Sequence, residues 1–106
     1  MALETVMIGG EHFRIHQTSP QYGIDNIGNP HFLGDDYRGE ELEVLRPQFE
    51  SDGEIYYEHS DLRMPENVFI AYCSVALKKG EKPEGIKHLD GDKYNNDPAN
   101  LEWIYS

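Results

Sequence analysis

The polar side chains best placed to do chemistry lie near the C-terminal end of the chain, in the run GIKHLDGDKYNNDPANLEWI (residues 85–104). The imidazole of His88 is followed, at every second position, by the carboxylates of Asp90 and Asp92. A histidine can take a proton from water near neutral pH, and oxygen ligands suit a divalent cation. The intervening Asp, Gly and Asn residues hydrogen-bond their own backbone readily. The run is therefore predicted to be strand, long polar loop and strand.

This order of residues resembles the motif of HNH endonucleases of the phage homing type. The family pattern is a metal ligand (Asp, His or Asn), then His, an apolar residue, Asp-Gly, a variable stretch, Asn-Asn, and finally Asn-Leu-Glu/Arg-Trp. The matching residues are His88, Leu89, Asp90, Gly91, Asn95, Asn96, Asn100, Leu101, Glu102 and Trp103. Upstream, residues 22–60 resemble more weakly the strands of the accessory DNA-binding module that often precedes HNH cores.

The resemblance implies a role for individual residues. In this family the His is the general base that activates water for attack on phosphorus, and a single divalent cation such as Mg²⁺ stabilises the developing charge. Carried over, His88 is the base and Asn100 is the residue that ties the loop so that the His points correctly.

Two departures from the family pattern concern the metal. Lys87 occupies the first ligand slot, and an ammonium offers only hydrogen-bond donors. The second ligand belongs on a helix after the hairpin, whereas the sequence ends at Ser106. We therefore expect no metal site and no cofactor. Asp90 and Asp92 do not begin a calcium loop, because Tyr94 and Leu101 fall where ligands are needed. A makeshift site from His88, Asp90 and Asp92 stays open as an alternative to simple turn formation.

The charge of the chain argues against unaided DNA binding. The formal net charge is -11, whereas DNA-binding proteins usually present a basic face to the phosphates. Residues 35–61 hold ten acidic residues against Arg38 and Arg46. They fit either an ordinary solvated surface or one that meets a basic partner or imitates DNA. The predicted partner-binding residues are Asp35, Asp36, Glu40, Glu41, Glu43, Glu50, Asp52 and Glu54.

The remaining pattern predicts a single α+β domain over residues 1–106, with short antiparallel strands and a C-terminal HNH-like hairpin (86–104) that lacks the final helix. Gly9-Gly10 predicts a turn between two strands within residues 5–16. The helix is expected over Pro65–Leu77, with Lys78 and Lys79 at its end and Gly80 as its stop, and with Val68, Ala71, Tyr72, Val75 and Ala76 as the buried stripe.

The single cysteine, Cys73, excludes an internal disulfide and is expected to be buried rather than reactive. No apolar run approaches the roughly 20 residues of a membrane helix, and the N-terminus does not resemble a secretory signal. We therefore expect a cytoplasmic protein of a bacterial host.

Three functions fit this sequence. The preferred one is a catalytically inactive, phage-derived HNH-like protein that binds a basic nucleic-acid-binding protein, as an inhibitor or DNA mimic directed at host defence. The second is an active metal-dependent HNH DNA endonuclease that completes its metal site in trans. The third is a decayed or purely structural module.

Overall fold

The computed structural model describes residues 3–78 and 81–105, and within these ranges the fold is α+β, as predicted, with mostly antiparallel strands around one helix. The first five strands form an antiparallel sheet in the order of the chain: β1 (Thr5–Ile8), β2 (Glu11–Ile15), β3 (Tyr22–Ile24), β4 (Pro30–Phe32) and β5 (Glu43–Val44). A second antiparallel sheet contains β6 (Pro47–Phe49), β7 (Ile55–His59) and β8 (Leu62–Pro65).

The predicted turn at Gly9-Gly10 is confirmed and sets the register of the first hairpin. Both glycines have positive φ, +59° and +83°, which a tight two-residue turn requires and which glycine adopts without steric cost. Ile8 is therefore paired with Glu11, and the inward-facing Phe13 and Ile15 are buried.

The local pattern does not predict β4 or β8. It predicts one short strand over Glu43–Pro47, closed by Pro47, and this prediction is wrong in its extent. The chain divides there between β5 and β6, which belong to different sheets. Leu45, between the two, is buried, and its backbone N–H donates to the Pro30 carbonyl at 3.0 Å. β4 and β8 each pair with the strand before them in the chain. At three and four residues they are too short to show the apolar-polar alternation that predicts a strand.

The helix α1 (Glu66–Ser74) begins where predicted but ends earlier than Leu77. Val75 is extended, with φ −116° and ψ 113°. The side-chain amide of Gln17 donates to the carbonyls of Tyr72 and Val75, both at 2.8 Å, and accepts from the N–H of Leu77 at 3.1 Å. A residue 55 or more positions away in sequence therefore satisfies the backbone groups that further helix would have paired. The predicted Lys79 and Gly80 end signals lie outside the described residues.

The buried face of α1 is also wider than the predicted stripe. Phe69, Ile70, Ala71 and Cys73 are buried, whereas Val68, Tyr72 and Val75 are only half-buried and Ala76 is exposed. The helix packs on two sides: Phe69 and Cys73 contact a cluster with Tyr22, Ile24, Leu45 and Tyr57, and Ile70 and Ala71 contact Leu101 and Trp103. A helix covered on two sides cannot show one apolar stripe.

The C-terminal hairpin pairs β9 (Gly85–His88) with β10 (Leu101–Ile104). A third apolar cluster, built on Ile8, Phe13, Ile15 and Leu33, lies under the first sheet. Within the described parts of the chain, no helix has both the length and the apolar character needed to cross a bilayer.

Candidate functional site

The β9–β10 hairpin places His88 and Lys87 on different faces. His88 lies opposite Leu101 and Lys87 lies opposite Glu102. Because side chains alternate along a strand, His88 is half-buried on the face that carries Leu101 and Trp103, whereas Lys87 and Glu102 are exposed on the other face. The strand thus presents an imidazole inward and an ammonium to solvent.

The loop between the two strands is closed by Asn100, which is 9% exposed. Its side-chain oxygen accepts from the N–H of Asp90 at 3.0 Å, and its amide nitrogen donates to the Asp90 carboxylate and to the Asn95 carbonyl, both at 2.9 Å. The N–H of Leu89 donates to the Asn100 carbonyl at 2.8 Å. Asn100 therefore connects the beginning and the middle of the loop to its end.

The Asp90 carboxylate is engaged within the loop. Its oxygens accept from the side chain of Asn95 (2.8 Å), from the backbone N–H of Asp92 (2.8 Å) and from Asn100. These hydrogen bonds stabilise the charged form, so they lower the pKa of Asp90 below the usual value of an aspartate, the Asn95 bond most strongly. Asp92 in turn accepts from the N–H of Tyr94 at 3.0 Å. Both aspartates act as turn formers here.

A chain of hydrogen bonds determines which nitrogen of His88 carries the proton. His88 Nε2 lies 2.8 Å from Asn96 Oδ1, and Asn96 Nδ2 donates to Glu66 at 2.9 Å. The other oxygen of Glu66 accepts from the Tyr57 hydroxyl at 3.1 Å. An ionised carboxylate only accepts, so the nitrogen of the Asn96 amide must face Glu66 and its oxygen must face His88. Neutral His88 is therefore protonated on Nε2, and its lone pair lies on Nδ1.

Sequence reasoning missed the roles of Glu66 and Tyr57 in this chain. Glu66 is interpretable from sequence only as a favourable charge in the first turn of a helix, and Tyr57 only as a strand residue. Burial and the neighbouring Glu66 carboxylate both raise the pKa of the Tyr57 hydroxyl, so it stays protonated and donates. The sequence signal for this chain of hydrogen bonds was Glu66, a carboxylate at the start of the helix that precedes the motif.

The side chains that the sequence left open as a makeshift metal site are His88, Asp90 and Asp92. Among residues 3–78 and 81–105, no three His, Cys, Asp or Glu side chains lie close enough together to hold a metal ion. His88, Asp90 and Asp92 therefore do not form the makeshift site that the sequence left open. The exposed ammonium of Lys87 supplies no ligand.

Two other side chains of reactive type, His16 and Cys73, are also buried. His16 is fully buried; its Nδ1 accepts from the N–H groups of Thr18 (3.2 Å) and Ser19 (3.0 Å). Burial lowers its pKa to about 4, so it is neutral at physiological pH. Cys73 is buried as predicted, and burial raises the pKa of its thiol far above the normal range. A neutral, buried thiol is not a nucleophile.

The predicted partner-binding acids lie on the surface in two places. Asp35, Asp36, Glu40, Glu41 and Glu43 lie in or next to the loop before β5, and Glu50, Asp52 and Glu54 in or next to the turn before β7. All are exposed except the half-buried Glu54. Some have basic neighbours: Glu43 lies 3.2 Å from His59, Asp36 lies 3.6 Å from Arg38, and Glu50 pairs with Arg63.

Comparison with known proteins identifies one similarity. Residues 75–105 match the family model described as HNH endonuclease. The matched segment covers the hairpin and its loop, where His88, Asn96 and Asn100 lie. No curated protein and no solved structure matches the chain. The family resemblance of the C-terminal segment is thus confirmed at the level of HNH endonucleases.

Proposed function

We propose that this protein is a phage-derived, HNH-endonuclease-like protein that does not cut nucleic acid, and that it binds a protein partner with a basic, nucleic-acid-binding surface. In that role it acts as an inhibitor or DNA mimic directed at a host nucleic-acid-binding or defence protein. The proposal that the protein does not cut nucleic acid depends mainly on Lys87. This residue places an exposed ammonium in the position where the HNH pattern has a metal ligand.

Two further observations support the lack of cleavage. The Asp90 carboxylate, the nearest acid to His88 in sequence, already accepts hydrogen bonds from Asn95, Asp92 and Asn100. A cation at Asp90 would compete with the hydrogen bonds that hold the loop around His88. The net charge of -11 also opposes approach to a phosphodiester, whose binding normally depends on cationic side chains.

The partner is inferred from the exposed acids. Seven of the eight predicted residues are exposed, and clustered negative charge attracts a positive surface and speeds its association. Proteins that bind DNA carry such a surface because they neutralise phosphates. A carboxylate-rich loop can compete for the same cations, which is the physical basis of the DNA-mimic proposal.

The second candidate is a divalent-metal-dependent HNH DNA endonuclease, and a specific observation favours it. The chain from Tyr57 through Glu66 and Asn96 leaves the lone pair of His88 on Nδ1, where it can accept a proton from water. In this case Mg²⁺ or a similar cation would need ligands supplied in trans, for instance by a second copy of the chain.

A nicking assay separates these two functions. Supercoiled plasmid is incubated with the parent protein, with His88→Ala and with His12→Ala, in the presence of Mg²⁺ or Mn²⁺. His12 is an exposed histidine of β2 and serves as the matched control. We expect no nicking by any of the three above a buffer blank. Nicking by the parent and the control that is abolished only in His88→Ala would establish the endonuclease instead.

A second experiment tests the partner. The protein is used as bait in bacterial lysate beside a variant with Glu40, Glu41 and Glu43 changed to Lys. A control variant carries the same charge change at Glu11, Glu81 and Glu84, which are exposed elsewhere. We expect the parent and the control to retain a basic nucleic-acid-binding protein that elutes as salt rises, because screening weakens exposed charge pairs. Equal retention by all three baits, or retention that ignores salt, would contradict the proposal.

A further inference from the structure

A cleft of about 420 Å³ lies outside the hairpin, between the first sheet and the β7–β8 turn. Its lining includes the aromatic rings of Tyr22, Phe32 and His59, together with the carboxylates of Asp35 and Asp61. Tyr22 is buried and both aspartates are exposed. The cleft therefore has an aromatic floor and an acidic rim.

The floor of the cleft is held in place from both sheets. The Phe32 ring stacks on the His59 ring, with centroids 4.6 Å apart and planes inclined by 22°. The Tyr22 hydroxyl lies 2.9 Å from His59 Nδ1 and donates to the His59 carbonyl at 3.0 Å. On the other side of the imidazole, Glu43 lies 3.2 Å from Nε2. A ligand would meet these rings without having to order them, which lowers the entropic cost of binding.

The potential in the cleft is negative. Burial raises the pKa of Tyr22, and so do the charges of Asp61 and Glu43. The two carboxylates therefore act on the same hydroxyl at the floor. Among residues 3–78 and 81–105, no lysine or arginine side chain lines the cleft. A cation is thus favoured and an anion is opposed.

We propose that this cleft binds an arginine side chain of the basic partner, with the guanidinium over the aromatic rings and its N–H groups directed at Asp35 and Asp61. A guanidinium is planar and weakly hydrated, stacks on aromatic faces and donates to carboxylates, whereas an ammonium is compact and strongly hydrated. The inference rests on the proposed function only for the source of the arginine. Asp35 and Glu43 belong to the acidic segment already assigned to partner binding, so the cleft gives that surface a specific anchor point.

The test uses a defined probe. The ¹⁵N-labelled protein is titrated with acetyl-Gly-Arg-Gly-amide, followed by NMR, and with the same peptide carrying citrulline or lysine in place of arginine. Citrulline has the shape of arginine without its charge. We expect shifts centred on Tyr22, Phe32 and His59 with the arginine peptide, weaker binding of lysine, and no binding of citrulline. Asp61→Asn should weaken arginine binding about two- to fivefold, as for one exposed charge. Glu11→Gln, which removes an exposed carboxylate on β2 outside the cleft, should leave binding unchanged.

Each contrary result overturns the cleft proposal. Equal shifts with citrulline exclude charge recognition, equal binding of lysine excludes guanidinium recognition, and shifts that map away from the cleft exclude the site. An affinity of Asp61→Asn for the arginine peptide equal to that of the parent also contradicts the proposal. The proposed function fails separately: if a basic protein is retained in a salt-dependent way while the arginine peptide ignores the cleft, only the anchor point is wrong.

Discussion

Asn100→Ala provides the sharpest test of how the hairpin loop is held. Asn100 is 9% exposed and makes two hydrogen bonds to backbone groups, from the N–H of Asp90 at 3.0 Å and to the carbonyl of Asn95 at 2.9 Å. Each such bond contributes about 1 kcal/mol net. The third bond, to the exposed Asp90 carboxylate, contributes little because solvent can replace it. We expect a loss of about 2 kcal/mol in the free energy of unfolding.

The assay is urea unfolding followed by circular dichroism, with Asn95→Ala as the matched control. Within the part of the chain that the structure describes, the Asn95 side chain bonds only to the exposed Asp90 carboxylate (2.8 Å) and, at 3.4 Å, to the N–H of Asp97. Its loss should therefore cost under about 1 kcal/mol. For a domain near 100 residues, the Asn100 loss corresponds to roughly 10 °C in Tm. The m-value should not change, since the surface exposed on unfolding is the same.

Either of two results would contradict the role of Asn100 in holding the loop. If Asn100→Ala unfolds within about 0.5 kcal/mol of the parent, then its buried hydrogen bonds do not hold the loop. If Asn95→Ala and Asn100→Ala cost the same, burial does not distinguish them, and the bonds to the exposed Asp90 carboxylate matter as much as those to backbone.

Three further predictions concern the helix α1 and the hydrogen-bonded histidines His16 and His88. Glu66→Gln should let His88 populate both neutral tautomers, because a carboxamide can donate as well as accept and no longer fixes the orientation of the Asn96 amide. Imidazole ¹⁵N chemical shifts measure the tautomers. The control Glu58→Gln, at an exposed residue of β7, should show no effect. Burial lowers the pKa of His16 to about 4 in the folded protein, against about 6.5 in the unfolded chain. As the pH drops from about 6.5 to about 4, the unfolded state takes up a proton that the folded state does not. The free energy of unfolding therefore falls over this range by up to roughly 3 kcal/mol. Unfolding of His16→Asn across this range should lack that part of the slope, and an unchanged slope would assign the loss to other groups. Phe69→Ala, at a side chain with 0% exposure, should cost about 3–5 kcal/mol in thermal or urea unfolding, through lost burial and a cavity; a cost under about 1 kcal/mol would mean that the helix is not the centre of the core.

The sequence was most informative where a motif and its local chemistry coincide. The turn at Gly9-Gly10 follows from the need for positive φ, and the start of α1 follows from Pro65 and Glu66. The loop after His88 is rich in residues that bond their own backbone, and the structure shows those bonds at Asp90 and Asp92. All of these depend on neighbours in the chain.

Contacts between distant residues decided what the sequence could not. The helix ends at Ser74 because Gln17, in the loop between β2 and β3, satisfies the carbonyls of Tyr72 and Val75.

The proton position on His88 likewise depends on Glu66, 22 positions upstream, acting through Asn96. The sequence by itself determined the HNH-like hairpin, the α+β class and the acidic charge, because these are properties of composition and short-range pattern. Only the tertiary structure decided the length of the helix, the tautomer of the imidazole and the existence of the aromatic cleft, because each requires side chains from separate elements to meet.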